Sequence, residues 1–309
     1  MCKITISAFQ MIQNFPDEDS ARVYLELLRW QGTPTCPHCD ESTRQYKEKR
    51  NGKEGYYQCH KCKKVYTVRT NTIFERSHVP LDKWLFTIYL VVTARKGIST
   101  LQLSKEIGVT YPTAWFMLHR IREACKDDNL DNDFLFGTVE ADEAYIGSKE
   151  KNKHAPKKLD VGGGSGEKAV VLGMRSRNDQ VRATTVPNNG KIIRNVIKET
   201  VCVNSLLCTD EHQSYGGMPE YKHRSVNHST KQYVDRMAYT NGIESVWAIL
   251  KRGFYGVYHA FNGKHLQRHL NEFVFRLNSG NVKIHTFDRI DTLLKMCIGK
   301  QLTYAALIN

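Results

Sequence analysis

Between Asp17 and Trp30 the apolar residues Ala21, Tyr24, Leu25 and Leu28 recur three and four positions apart, the period of an amphipathic helix. Acidic residues fill its first turn, where they suit the positive end of a helix. Leu81 to Arg95 reads as a second helix. Ser99 can cap a short third one that Gly108 ends, and Thr110 to Pro112 open a fourth running to about Cys125, with Ala114, Trp115, Leu118 and Ile121 facing inward. Beyond 133 the pattern changes. Apolar runs of strand type at 136–146, 168–176 and 181–187 precede a helix at 190–200 and a fourth strand at 205–210. After an irregular stretch, helices follow at 241–252, where Ile243, Val246, Trp247 and Leu250 share a face, and at 264–278.

The polar, acidic run Lys126–Asp133 marks a boundary. Four segments result: an N-terminal helix and cysteine-rich ribbon (1–78), a helical pair (79–126), an α/β domain (127–280) and a C-terminal tail (281–309). Three strands, a helix, a fourth strand and later helices is the order of an RNase H-like fold with a mixed sheet, an analogy at the level of fold. The helix, glycine turn and helix at 99–125 has the pattern of a helix-turn-helix DNA reader, with Tyr111, Thr113 and Arg120 exposed. An ordinary helical hairpin has the same periodicity.

A chain of 309 residues accommodates two domains, and its net charge of +13 points to a polyanionic partner, nucleic acid before membrane. A basic protein that is merely soluble has the same charge. No apolar run approaches the roughly 18–20 residues of a membrane span, and the N-terminus lacks the regions of a signal peptide. Of nine cysteines, Cys36, Cys39, Cys59 and Cys62 form a C-x2-C pair, a 19-residue gap and a second C-x2-C pair. Two such knuckles complete a closed, structural zinc site. The other five cysteines are scattered, which suits a reducing, intracellular setting: cytoplasmic for a bacterial chain, nuclear for a eukaryotic one. From Arg44 to Arg76 ten Lys or Arg face three acidic residues, with Tyr46, Tyr56, Tyr57 and Tyr66 between them. That mixture fits phosphate contact and base stacking, or tyrosines that pack the ribbon.

Three acidic residues stand where a metal-dependent phosphodiester chemistry needs them. Asp142 lies in the first strand of the α/β domain, Asp210 ends the fourth, and Glu244 lies near the start of the 241–252 helix. Such carboxylates can converge on two Mg2+ or Mn2+ ions, which stabilise the attacking and leaving oxygens of an in-line displacement. Strand alternation lets Glu140 share the face of Asp142, as a supporting or surface group, and turns Glu143 away. Glu211, His212, His223 and His228 are expected outside the metal site, the histidines binding DNA or packing. Trp247 is expected in the core between helix and sheet. Lys149–Lys168, with six lysines and Gly162-Gly-Gly-Ser-Gly166, reads as a surface loop able to clamp DNA.

Val139-Glu-Ala-Asp-Glu-Ala-Tyr-Ile-Gly147, Thr209-Asp-Glu-His-Gln-Ser-Tyr215, Thr240-Asn-Gly-Ile-Glu-Ser-Val-Trp-Ala-Ile-Leu-Lys-Arg252 and the stretch from Gly256 to Arg276 resemble the Merlin-related insertion-sequence transposases with an ISXO-type catalytic domain, the insertion sequence 1595 family. The ribbon, Pro80-Leu-Asp-Lys-Trp84 and Arg95-Lys-Gly-Ile-Ser99 resemble its N-terminal half, so the likeness runs from about Phe15 to Asn278. It implies a DDE-type transposase that binds double-stranded DNA at the terminal inverted repeats of its own element, cleaves it and joins it to a target. Asp142 and Asp210 match the first two metal ligands. The family places Asn or Glu third, and both Asn241 and Glu244 are available; Glu244 is preferred because a carboxylate neutralises a divalent cation better than an amide. Lys251 falls on the face of Glu244 and, with Arg252, can hold a DNA phosphate. Joining two ends to a target calls for a homo-oligomer. A domesticated remnant that only binds DNA, or a nuclease that cuts without joining, are the alternatives.

Overall fold

The structure, a computed structural model, describes residues 5–50, 52–126, 134–147, 168–177, 180–210, 213–226, 239–259 and 263–308. The chain forms two compact units, Met1–Lys126 with Ser279–Asn309, and Asp127–Asn278.

In the first unit, α1 (Ala8–Asn14) starts at a capping box between Ser7 and Gln10. Asp17 caps α2 (Glu18–Trp30), which buries Ala21, Leu25 and Trp30. Strands β1 (Gln45–Arg50), β2 (Lys53–Cys59) and β3 (Val65–Tyr66) form an antiparallel sheet in that order. Trp30 meets Tyr57 and Tyr66 with ring centroids 5.1 and 5.8 Å away, so these two tyrosines pack the ribbon, whereas Tyr46 is exposed. The apolar α3 (Leu81–Thr93) precedes α4 (Thr100–Ile107) and α5 (Tyr111–Ala124). Ser99 Oγ accepts the amide of Gln102, Gly108 ends α4 at φ +63°, and Thr110 caps α5 through the amide of Thr113. These are the caps and the turn expected from the sequence.

The second unit is a five-stranded mixed sheet of order β6-β5-β4-β7-β8. Its strands are β4 (Thr138–Ile146), β5 (Ala169–Ser176), β6 (Val181–Val186), β7 (Leu206–Asp210) and β8 (Lys222–Val226), with α6 (Gly190–Thr200) between β6 and β7. β4 pairs antiparallel with β5 and parallel with β7. Alternation sends Val139 and Ala141 to one core with Ile193 and Ile197 of α6. Ala144 and Ile146 go to the other, beneath α7 (Asn241–Gly253) and α8 (Leu266–Leu277).

The chain then rejoins the first unit through α9 (Thr286–Met296) and α10 (Tyr304–Ile308). Thr72 bridges Ile298, the amide of Ile73 donates to Cys297, and Arg289 Nη1 donates to the carbonyl of Val92 at 2.6 Å. This return corrects one sequence expectation. Arg120 is not exposed: its guanidinium donates to the carbonyls of Ile73 (2.7 Å), Glu75 (3.0 Å) and Leu302 (3.3 Å), and the side chain is buried. Tyr111 is exposed and Thr113 half-buried at the start of α5.

Candidate active site

Among the described residues, two side-chain clusters have the chemistry to hold a metal. The first is Cys36, Cys39, Cys59 and Cys62, whose sulfurs all lie within 4.8 Å of one another. Cys36 and Cys62 are 3.6 Å apart, and Cys39 and Cys59 are 3.7 Å apart. A tetrahedron with Zn–S bonds of about 2.3 Å has edges of about 3.8 Å, so the four thiolates fit zinc with no position left open. Main-chain N–H donation, led by that of Cys62, draws the Cys59 thiol down to about 7, while burial pushes Cys36 up to about 12.

The second cluster arises where β4 and β7 part. Their parallel pairing runs from Thr138↔Leu206 to Glu140↔Cys208. Two residues further along both strands, Asp142 and Asp210 stand abreast beyond the last pair. Carboxylate oxygens of Asp142, Glu143 and Asp210 lie within 4.8 Å of one another. Three carboxylates that close repel each other, and a divalent cation with oxygen ligands removes that repulsion. The electrostatics carry its mark: burial, then the charge of Asp210, pushes the Asp142 carboxyl up to about 6. Tyr215 is fully buried beside this cluster, and burial together with the charge of Glu143 holds its phenol protonated.

Asp142 is also tied down. Its Oδ1 accepts the amide of Glu143 at 2.8 Å, and its Oδ2 accepts Nε1 of Trp247 at 3.0 Å. Trp247 is therefore core, as its helical spacing predicts, with a polar edge that spacing cannot reveal. Glu140, two residues earlier on the same face, is buried rather than on the surface. It accepts the amide of Ile243 at 2.9 Å and lies 3.6 Å from Arg177 Nε, so it binds β4 to the first turn of α7.

The expected trio is brought together in part. Asp142 and Asp210 meet; Glu244 is exposed on the first turn of α7, where it accepts the hydroxyl of Thr240 at 3.0 Å, and it is not among the clustered oxygens. Glu143, expected to point away, belongs to the cluster. Alternation assigns it to the opposite face, but past the end of the β4–β7 pairing the β7 side of β4 is open, while β5 still pairs on the other side. Asn241, Lys251 and Arg252 are all exposed on α7. His223 packs, its Nε2 lying 2.9 Å from Thr209 Oγ1. Glu211, His212, His228 and the lysine-rich loop up to Glu167 lie outside the described residues. The sequence carries one further signal in Gly173, a lone glycine inside a strand, which marks close approach by another group; here that group is Trp247.

Residues 134–278 match the ISXO2-like transposase domain, and residues 16–65 match a transposase zinc-ribbon domain. A protein of Halobacterium salinarum described as an uncharacterized protein in the transposable element ISH50 is 27% identical over 265 residues, covering 78% of this chain and 84% of that protein. No solved structure matches the chain. A thiolate ribbon in one unit and clustered carboxylates in the other are thus the parts of a transposase. The chain thus carries an ISXO2-like transposase domain behind a transposase zinc-ribbon domain. Among the described residues no helix is long and apolar enough to cross a membrane.

Proposed function

We propose that this transposase binds the terminal inverted repeats of its element, cleaves the DNA there and joins the freed ends to target DNA. The observation that carries the reading is the meeting of Asp142 and Asp210 where β4 and β7 part. The strand order, with the first strand central and antiparallel to the second, supports an RNase H-like fold for this unit. Mg2+ or Mn2+ ions held by Asp142, Asp210 and Glu244, with Asn241 as the alternative third ligand, would supply the charge that stabilises an in-line displacement at phosphorus. Glu244 rides on the turn of α7 that Glu140 fixes to β4, which supports its reaching the same end of the sheet. Cleavage and joining are both in-line displacements, so one set of carboxylates serves both without a covalent protein intermediate.

The remaining residues bind and orient. Lys251 and Arg252, exposed at the end of α7, hold DNA phosphate near the carboxylates. In the first unit α4 and α5 act as the helix-turn-helix, with Tyr111 exposed and Thr113 half-buried at the start of the reading helix. Arg120 is withdrawn from that role by its burial. The zinc ribbon keeps its knuckles rigid and adds a basic surface.

The test is strand transfer: purified protein, the DNA flanking its gene, a supercoiled target and Mg2+ or Mn2+. Joined products from wild type and none from Asp210→Ala are expected. Joining by Asp210→Ala at the wild-type rate would remove Asp210 from the site. Specific end binding without cleavage under either metal would instead identify a DNA-binding remnant, and cleavage without joining a nuclease. Running Glu244→Gln beside Glu143→Gln separates the two carboxylates that compete for the third place.

A further inference from the structure

Inside a strand, a glycine gives up side-chain packing, and it often marks close approach by another group. Gly173 stands within β5 and pairs across to Asp142 on β4. A Cβ there would lie 2.3 and 2.4 Å from the Trp247 ring atoms Cζ2 and Cη2, and 3.1 Å from Ile243 Cδ1. The indole of α7 therefore rests on bare strand backbone. Directly paired residues of antiparallel strands share a face, so the same seat puts the indole edge beside the carboxylate opposite. There Nε1 donates to Asp142 Oδ2 at 3.0 Å, while the amide of Glu143 donates to Oδ1 at 2.8 Å.

Each carboxylate oxygen has two lone pairs. One donor on each leaves one lone pair per oxygen for a cation and fixes the carboxylate plane. We propose that Trp247 is a positioning residue of the metal site, its indole N–H orienting the Asp142 carboxylate and Gly173 providing the seat that makes this possible. The inference rests on the reading of Asp142 and Asp210 as metal ligands. It adds that the seating of α7 and the aim of the first ligand are one event: Ile243 and Trp247, four residues apart on α7, bind Glu140 and Asp142, two residues apart on β4.

The test uses full-length, zinc-loaded protein with 15N-labelled tryptophan. Its four tryptophans give separate indole resonances, and that of Trp247 is the one lost in Trp247→Phe, a variant that keeps a ring over Gly173 without the N–H. Titration with Mg2+ should move the Trp247 resonance in wild type and leave it in place in Asp142→Asn. By calorimetry, Trp247→Phe should bind Mg2+ about 10–100-fold more weakly, the range for loss of a group that orients a ligand, with zinc content and the other three resonances unchanged. Wild-type Mg2+ affinity in Trp247→Phe, or a Trp247 resonance that stays still while Mg2+ binds, overturns the proposal and leaves the metal site standing. Absence of Mg2+ binding in wild type, or binding indifferent to both Asp142→Asn and Asp210→Asn, removes the metal site and the proposal with it. Should Trp247→Phe misfold, the Trp247 resonance is assigned in wild type by its nuclear Overhauser contact to Gly173, and the wild-type and Asp142→Asn titrations decide.

Discussion

Glu140 caps a helix it does not belong to, and removing its carboxylate should loosen the catalytic unit at one identifiable place. The N-cap residue before α7, Thr240, makes no side-chain cap bond to the helix backbone; its hydroxyl goes to Glu244 instead. The amide of Ile243 is satisfied by Glu140, which is only 2% exposed and faces Arg177 at 3.6 Å. Gly242 makes room for this, since a Cβ there would fall 2.5 Å from Glu140 Oε2. Losing a cap costs about 1 kcal/mol, and stranding one partner of a buried pair costs about 3–5 kcal/mol. Arg177 retains 23% of its side-chain exposure and stacks on Tyr239 at 3.8 Å, so it can rehydrate, and the lower end applies. Glu140→Ala should therefore cost the second unit about 3 kcal/mol. Glu140→Gln keeps an acceptor for Ile243 and should cost about 1–2 kcal/mol. At roughly 2–4 °C per kcal/mol for a unit of this size, the alanine variant should melt about 6–12 °C lower. Calorimetry reads the midpoint, and hydrogen exchange should show the loss of protection concentrated in α7. Equal midpoints for wild type and Glu140→Ala, or equal losses for alanine and glutamine, would refute the cap.

Other consequences are as direct. Asp142 has a folded-state carboxyl raised to about 6 from an ordinary 3.8, so the metal-free fold holds the extra proton between those values. Its stability should rise as pH falls from 7 through 6 and level off below about 4; because Mg2+ must expel that proton, its affinity should fall about tenfold per pH unit below 6. Calorimetry at pH 7 and 5 tests this, and a flat affinity would sink it. Cys36→Ser or Cys59→Ser should release zinc, measured by metal analysis, and abolish specific end binding; intact end binding without zinc would contradict the ribbon's role. Arg120→Ala should cost about 3 kcal/mol or more, because it strips a charged donor from three carbonyls, whereas Tyr111→Ala should leave the melting curve unchanged and weaken end binding in a gel-shift titration. A stable Arg120→Ala protein deficient only in DNA binding would reverse that assignment.

What the sequence could express was local chemistry. Ser99, Gly108 and Thr110 set the limits of α4 and α5 because caps and left-handed turns depend on neighbouring residues. The strands β4 to β7 and the helices α6 to α8 lie within about two residues of their periodicities. β8 leaves little sequence signal because Lys-His-Arg-Ser-Val is an edge strand with little apolar alternation. α9, within the segment expected as a C-terminal tail, carries a helical period in Phe287, Ile290, Leu293 and Leu294. Pairings remote in the chain left no trace: Arg120 with Leu302, Glu140 with Ile243, Asp142 with Trp247. The position of Glu143 has the same origin. Its place depends on where β7 stops pairing, and no property of β4 alone encodes that.

The first unit is written in two pieces, with the whole second unit between them. During synthesis the second unit has all its residues once Asn278 has left the ribosome. The first must wait for Cys297 to meet Ile73, for Leu302 to receive Arg120 and for Arg289 to reach Val92. Domains fold as units when their chain is available, so the half made first is finished last. A chain broken off after Asn278 would carry a complete carboxylate sheet beside an unfinished zinc-bearing unit.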